Sequence, residues 1–245
     1  MIKLKITWQY CLAFYCIIML YVSLHELIHH LAGYFVCGDW GIKTFNYFET
    51  ACDNDKKSLA ATYIGPIFTF AMMYFGMYLL NKRDSEYKKH LGFAIIFAQL
   101  PFQRMTSPFF KMNDEFYASS KLFGDTNIVY WSVIIFIWLI CLPPLIKAFN
   151  AIGNRNKILW FLFYLILFPY LLWGPIFGVL EYLMVEKKIL AQSVVGIGLL
   201  FILNEVITII AYYFTKKYIN PNQKSKNCKK TCIVHSVNEL SGKFY

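Results

Sequence analysis

The sequence predicts an all-α fold: a polytopic integral membrane bundle of about six transmembrane helices. Of the 245 residues, 58% are hydrophobic and only 16% are charged, whereas an ordinary soluble domain has about 25% charged residues. Several apolar segments are long enough to cross a bilayer, which takes about 20 mostly apolar residues. Backbone groups in lipid must be hydrogen-bonded within their own segment, so helices are expected rather than strands.

Six apolar segments follow one another along the chain, each bounded by clusters of Lys, Arg, Asn, Asp or Gly. They cover residues 7–36, 59–80, 91–109, 127–150, 157–183 and 189–214. Prolines interrupt two of them, at Pro143–Pro144 and at Pro169, where helices are expected to bend or end because proline lacks the backbone N–H. The pattern therefore predicts six spans with local breaks.

Two regions differ sharply in composition. Residues 1–214 contain all six apolar segments and are interpreted as one membrane-embedded domain. Residues 215–245 are rich in Lys, Asn and Ser and are expected to form a basic, flexible tail. The first segment is too long for a signal peptide and lacks a small-residue cleavage site, so we expect it to be retained as a helix.

The net charge of +10 is explained by topology. Basic residues cluster between the apolar segments and in the tail, where a membrane protein meets lipid headgroups. The sequence has neither an RNA-binding signature nor a phosphate-binding glycine loop, so the expected partner is the lipid bilayer and not nucleic acid. Sixteen of the 24 lysines and arginines fall on the side that holds both termini. The positive-inside rule then places the termini in the cytoplasm, and the cell membrane is the favoured location.

Four of the seven cysteines stand outside the apolar segments. Cys37 and Cys52 flank one loop and could form a disulfide if that loop faces an oxidising compartment. Cys228 and Cys232 lie near His235 in the tail, but one short cluster cannot complete a zinc site by itself. Free thiols are the expectation for the tail.

The strongest motif is HELIHH, within the stretch YVSLHELIHHLAGYF of the first segment. His25 and His29 are four residues apart and therefore lie on one face of a helix, where both imidazoles can bind one zinc ion. Glu26 is turned by about 100° from His25 and can act as the general base toward a water at that metal. Ionisable residues within an apolar span are themselves a sign of function. The alternative is a helix whose histidines only form hydrogen bonds in a polar crevice.

A catalytic zinc normally has three protein ligands and one open position, so a third ligand is expected. Segments one and three run in the same direction, and Asp114 follows the end of segment three, in FFKMNDEFYASSKLFG. Asp114 can therefore reach the histidines if its segment folds back into the bundle. Glu115 and Glu205 are the alternative third ligands, and a solvated loop carboxylate is the alternative for Asp114.

Other polar residues and one glycine–proline pair have less specific patterns. Arg104 is expected at an interface or in an ion pair, and Glu205 is also compatible with a hydrogen-bonded pair between helices. Five positions are candidates for substrate binding or for support of the metal ligands: His30, Gly65, Pro66, Asn113 and Glu115.

Taken together, these motifs resemble the site-2-protease type of intramembrane zinc metalloprotease. The resemblance covers residues 20–125: HELIHH in the first span, then the glycine-containing CGDWGIKTFNYF, GPIF in the second span and an aspartate after the third. It implies histidine ligands at His25 and His29, a third ligand at Asp114 and a general base at Glu26. It also implies zinc nearer the cytoplasmic face, which conflicts with the charge distribution.

The sequence thus predicts a zinc-dependent endopeptidase, a hydrolase acting on peptide bonds of membrane-associated proteins. Two other functions remain open. The same zinc chemistry could serve a membrane hydrolase that acts on a lipid amide or another small molecule. Alternatively, the histidines could hold a metal or haem in a membrane protein without catalytic activity.

Overall fold

The computed structural model describes residues 1–52, 56–82 and 85–219, and within them the chain is mostly helical. The α-helices are α1 (Trp8–Cys37), α2 (Ser58–Leu80), α3 (Glu86–Ala98), α4 (Pro101–Thr106), α5 (Asp114–Phe123), α6 (Asn127–Ala151), α7 (Lys157–Leu162), α8 (Phe168–Val185) and α9 (Leu199–Thr215). A π-helical turn joins α7 to α8 in one 29-residue run. Residues 220–245, most of the predicted tail, lie outside the described residues.

Five helices of the described chain are long and apolar enough to cross a membrane, rather than the predicted six. The difference lies in the third apolar segment, where α3 has only 13 residues and a length of about 20 Å. Leu100 then adopts the left-handed conformation, with φ of 49°. Pro101 follows it, and a residue before proline is disfavoured in the helical region. The chain turns there into α4 and a 3-10 turn at Ser107–Phe110.

Helix α1 lies at the centre of the bundle, against α2, α3, α8 and α9. It begins where the Thr7 hydroxyl accepts a hydrogen bond from the Tyr10 backbone N–H, and it ends at Gly38 in the left-handed conformation, with φ of 79°. Phe14 packs against Tyr164 with ring centroids 4.7 Å apart. Both rings are fully buried, so α1 is anchored through its first half by an aromatic core.

Four two-residue strands form a small sheet that the all-α prediction missed. The strands are β1 (Ile42–Lys43), β2 (Phe48–Glu49), β3 (Ser193–Val194) and β4 (Ile197–Gly198), in the order β2-β1-β4-β3. Two antiparallel hairpins meet where β1 pairs in parallel with β4. Strands of two residues are too short to produce an alternating pattern, which is why sequence periodicity does not reveal them.

The connecting segments gather at the two ends of the bundle. The sheet end holds residues 38–52, 56–57, 99–126 and 186–198, and includes the four strands. The terminal end holds residues 1–7, 81–82, 85, 152–156 and 216–219. There the Gly153 N–H donates to the Ile2 carbonyl oxygen at 2.7 Å. Each end is thus tied together by contacts between segments that are distant in sequence.

Candidate metal centre

The two histidines of HELIHH converge on one point in the interior. His25 and His29 are 5% and 0% exposed, and their Nε2 atoms lie 3.1 Å apart. The rings are perpendicular, with centroids 4.6 Å apart. The spacing of four residues on α1 therefore directs two potential ligand atoms to one place.

The other ring nitrogens are held by α2. The Nδ1–H of His29 donates to the Ala61 carbonyl oxygen at 2.7 Å, which leaves the lone pair on Nε2. Nδ1 of His25 lies 2.9 Å from the Thr69 hydroxyl oxygen, and the His29 ring also stacks on Phe48 of β2, with centroids 4.2 Å apart. Such partners orient metal-binding imidazoles. Sequence reasoning did not identify Thr69 as one of them, although it lies one helical turn after Gly65.

Asp114 completes the group. Its Oδ2 lies 3.4 Å from His25 Nε2 and 3.5 Å from His29 Nε2. Asp114 is the first residue of α5, so the turn after α3 brings it back to α1. Glu115 and Glu205, the alternative third ligands, do not belong to this group of converging atoms in the described chain.

The three ligand atoms form a triangle with edges of 3.1, 3.4 and 3.5 Å. A tetrahedral zinc with bonds of about 2.0–2.1 Å separates its ligands by about 3.4 Å. The donor set and the spacing therefore fit a single four-coordinate ion of this size. Three protein ligands would leave one coordination position for water or substrate.

Asp114 is held in the ionised form that a ligand requires. Burial raises the pKa of its carboxyl group, but contacts with His25, His29 and Arg104 outweigh burial. The net result is a pKa well below the usual value of an aspartate.

Glu26 borders the same space as the ligand atoms. A cavity of about 190 Å³ is lined by His25, Glu26, Arg104 and Asp114, together with Asn113 and other residues. Most of its lining is polar, although it lies among apolar helices. The arrangement provides room for water between a carboxylate and the ligand triangle.

Arg104 is a residue of the site whose place there was not predicted. Its Nη2 lies 2.6 Å from Nε2 and 3.2 Å from Nδ1 of His25, and its Nη1 lies 3.3 Å from Asp114 Oδ2 and 3.7 Å from Glu115 Oε2. The break at Leu100 brings α4, and Arg104 with it, against the histidines. An arginine within an apolar segment is the signal that could have indicated this role.

Gly65 is required by the close approach of α2 to the histidines. A Cβ atom at this position would lie 2.7 Å from Cε1 of His25 and would overlap the ring of His29. Pro66 faces elsewhere: it lines a separate, mostly apolar cavity of about 860 Å³ between α2, α5 and α6. Of the predicted pair, Gly65 therefore lies against the histidines and Pro66 lines the apolar cavity.

The remaining predicted residues form hydrogen bonds around the ligand group without belonging to it. His30 donates from Nε2 to the Val195 carbonyl oxygen at 2.8 Å, which ties the β3–β4 hairpin to α1. Asn113 donates to Glu115 Oε2 at 2.7 Å. Glu205 accepts from the Ser23 hydroxyl at 2.6 Å, so it forms the hydrogen-bonded pair between helices rather than a metal contact.

Lys43 of β1 is a second cation that was not predicted. It is 1% exposed, its Nζ lies 3.8 Å from the ring centroid of Phe201, and it donates to the Thr44 carbonyl oxygen at 3.0 Å. Burial lowers the pKa of this ammonium group to about 8, although Glu26, Glu205 and Glu181 favour its charged form. The sheet thus places a buried cation in the field of Glu26.

No protein-family model, curated protein or solved structure matches this chain. The function must therefore be argued from the residues themselves. Three features bear on the function: the converging ligand atoms, the adjacent carboxylate of Glu26 and the polar cavity.

Proposed function

We propose that this chain is an integral, multi-pass membrane endopeptidase that depends on zinc and cleaves peptide bonds of membrane-associated proteins. The observation that carries the proposal is the triangle of His25, His29 and Asp114 ligand atoms beside Glu26. Two histidines and a carboxylate are a donor set typical of catalytic zinc.

Location in a membrane is supported by the surface of the helices. Large apolar side chains of α6 and α9 point outward, among them Leu139 at 65%, Ile207 at 57% and Phe214 at 65% exposed. Monomeric soluble proteins rarely expose large contiguous apolar areas. Five helices of the described chain are long and apolar enough to cross a bilayer, which supports this location.

Each side chain of the site has its own role in the proposed hydrolysis. Zinc held by His25, His29 and Asp114 would polarise the scissile carbonyl group and lower the pKa of a water molecule. Glu26 lines the same cavity and would take a proton from a water molecule there and deliver it to the leaving amine. Arg104, beside the ligand atoms, is placed to attract the negative charge that develops on the carbonyl oxygen.

The resemblance of HELIHH, GPIF and the later aspartate to site-2 proteases supports the same proposal. In that type of enzyme a histidine pair, a glutamate and an aspartate carry these roles. These roles are proposed here only for His25, Glu26, His29 and Asp114. Their support is that His25, Glu26 and Asp114 line one cavity and that His29 converges with His25 and Asp114.

A second candidate function is a zinc hydrolase for a lipid amide. The specific observation in its favour is the apolar cavity of about 860 Å³ between α2, α5 and α6. Glu115 borders this cavity and directly follows Asp114 in the chain, so an acyl chain held there would lie beside the segment that supplies Asp114. Haem is disfavoured, because axial ligands lie on opposite faces of the macrocycle and the two Nε2 atoms are only 3.1 Å apart.

The test uses the purified protein in lipid and the variant Glu26→Gln. We expect the variant to keep its bound zinc and to lose cleavage of membrane-protein substrates by about 10²–10⁴-fold, the range for general acid–base groups. Glu205→Gln is the matched control, since Glu205 is a partly buried glutamate outside the ligand group. Undiminished cleavage by Glu26→Gln would refute the role of Glu26, and release of fatty acid without any cleaved protein would favour the second candidate.

A further inference from the structure

We propose that the sheet end of this protein faces the non-cytoplasmic side of the membrane and the terminal end faces the cytoplasm. The inference rests on the proposed function and specifies its substrates. They are peptide bonds of membrane proteins at the non-cytoplasmic boundary of the bilayer. The resemblance to site-2 proteases implies the opposite, with zinc nearer the cytoplasm.

The first argument is the disulfide between Cys37 and Cys52. Cys37 is the last residue of α1 and Cys52 lies in the loop before α2, so the bond is at the sheet end. Disulfides form and persist in oxidising compartments and are rare in the cytosol. The segment that the bond closes includes Phe48, which stacks on His29. The oxidised loop and the metal centre therefore belong to the same side.

The second argument is the distribution of basic side chains. By sequence, sixteen of the 24 lysines and arginines lie in the terminal-end segments, in the helix turns next to those segments, or in the tail that follows. Of those at the sheet end, Lys43 is 1% exposed and the Arg104 side chain is 16% exposed. Arg104 contacts His25 and Asp114, and Lys43 contacts the Phe201 ring and the Thr44 carbonyl oxygen, so both cations are directed into the protein. Because these two cations are buried, the difference in exposed basic side chains between the two ends is larger than the sequence count. The positive-inside rule assigns the more basic end, the terminal end, to the cytoplasm.

The third argument is the depth of the ligand atoms along α1. With 30 residues, α1 is about 45 Å long and exceeds the hydrocarbon thickness of about 30 Å. His29 lies eight residues before its end at Cys37, which corresponds to about 12 Å. The candidate metal centre is thus closer to the sheet-end boundary of the bilayer than to the opposite one, and we expect substrate and water to reach it from the sheet end.

The experiment labels two matched cysteines in intact cells. Ser193→Cys in β3 at the sheet end and Asn156→Cys at the terminal end both replace small, exposed polar residues. Each is made in a chain whose other cysteines, except Cys37 and Cys52, are changed to alanine. A membrane-impermeant maleimide is applied before and after permeabilisation. We expect Ser193→Cys to be labelled equally in both cases and Asn156→Cys to be labelled only after permeabilisation.

Three outcomes would overturn the proposal. They are the reverse labelling pattern, equal labelling of both sites in intact cells, and labelling of neither site before permeabilisation. Alkylation of the unmodified protein under non-reducing conditions gives a second readout: Cys37 and Cys52 are expected to be protected until a reductant is added. Neither measurement requires zinc or turnover. Failure of the orientation is therefore distinguishable from failure of the peptidase function, which the Glu26→Gln variant tests separately.

Discussion

The tetrapeptide Gly-Pro-Ile-Phe occurs twice, at 65–68 in α2 and at 174–177 in α8, and the two copies have different surroundings. Gly65 lies against His25 and His29, and a Cβ atom there would clash with both rings. Apart from its chain neighbours and the backbone of its own helix, no atom of the described residues lies within 4 Å of a Cβ built at Gly174. Identical sequence therefore lies against the candidate ligands only where the fold brings it to the histidines.

The residue that follows each copy also differs between α2 and α8. Thr69 places a hydroxyl oxygen 2.9 Å from His25 Nδ1, whereas Gly178 has no side chain. The phenylalanine of the second copy, Phe177, is 1% exposed and packs on Phe45 beneath the sheet. The α2 copy supports the ligands, and the α8 copy contributes to a hydrophobic cluster.

The largest effect is expected from the histidines that Gly65 contacts. His29→Ala should abolish stoichiometric zinc binding and, with it, all cleavage, because two ligands do not retain a catalytic ion. The matched control is His90→Ala. His90 is also buried, but its ring contacts Tyr10 at 3.3 Å and lies far from the ligand group. Zinc content per chain by mass spectrometry of the purified proteins decides the point, and equal zinc in both variants would contradict the assignment.

Substitution of the two glycines tests the comparison directly. Gly65→Ala should displace one or both imidazoles and weaken zinc binding by more than the 10–100-fold typical of losing a supporting hydrogen bond. Gly174→Ala should leave zinc affinity unchanged and stabilise α8 slightly, because alanine has the higher helix propensity. Competition with a chelator measures both affinities. Similar zinc affinities in the two variants would show that zinc binding does not depend on the close approach of α2 to the histidines.

A smaller effect is expected at the position after the first copy. Thr69→Val removes the hydroxyl group that holds His25 Nδ1 and keeps the shape of the side chain. Zinc affinity should fall by about 10–100-fold. Thr62→Val on the same helix is the control, since the Thr62 hydroxyl donates only within α2, to the Ser58 carbonyl oxygen. Chelator competition at constant pH should separate the two variants, and identical affinities would remove Thr69 from the site.

The smallest effect is expected at Arg104, and its sign is opposite. Arg104→Gln removes a positive charge close to a divalent ion, a repulsion of several kcal/mol at an effective dielectric constant of about 20. It also removes a charged hydrogen bond to Asp114 worth about 1.5–3 kcal/mol. Repulsion is the larger contribution, although movement of the arginine and solvent screening reduce it. Zinc affinity should therefore rise about tenfold, and a loss of affinity would assign Arg104 to support of Asp114 instead.

Several features were accessible from the sequence for a clear physical reason. A long apolar run predicts a helix by itself, and the five helices of spanning length correspond to five of the six predicted segments. The spacing of His25 and His29 predicts convergence on one helix face, and the structure has that arrangement. The disulfide that the positions of Cys37 and Cys52 allowed is also present.

Other features depend on contacts between distant segments. The left-handed turn at Leu100 shortens the third predicted span and brings Arg104 to the site. The pairing of β1 with β4 joins residues more than 150 positions apart, at Lys43 and Ile197. Each of these contacts joins segments with no common local pattern, so periodicity cannot indicate them.

The sequence by itself determined the helical bundle, the paired histidines with Glu26 beside them, and the asymmetry of basic residues, because each follows from local periodicity or composition. Only the tertiary structure decided that Asp114, and not Glu115 or Glu205, meets the histidines. It likewise decided which Gly-Pro-Ile-Phe copy lies beneath them. A metal centre requires ligand atoms within a few ångströms of one another, and only the packing of separate segments sets that distance.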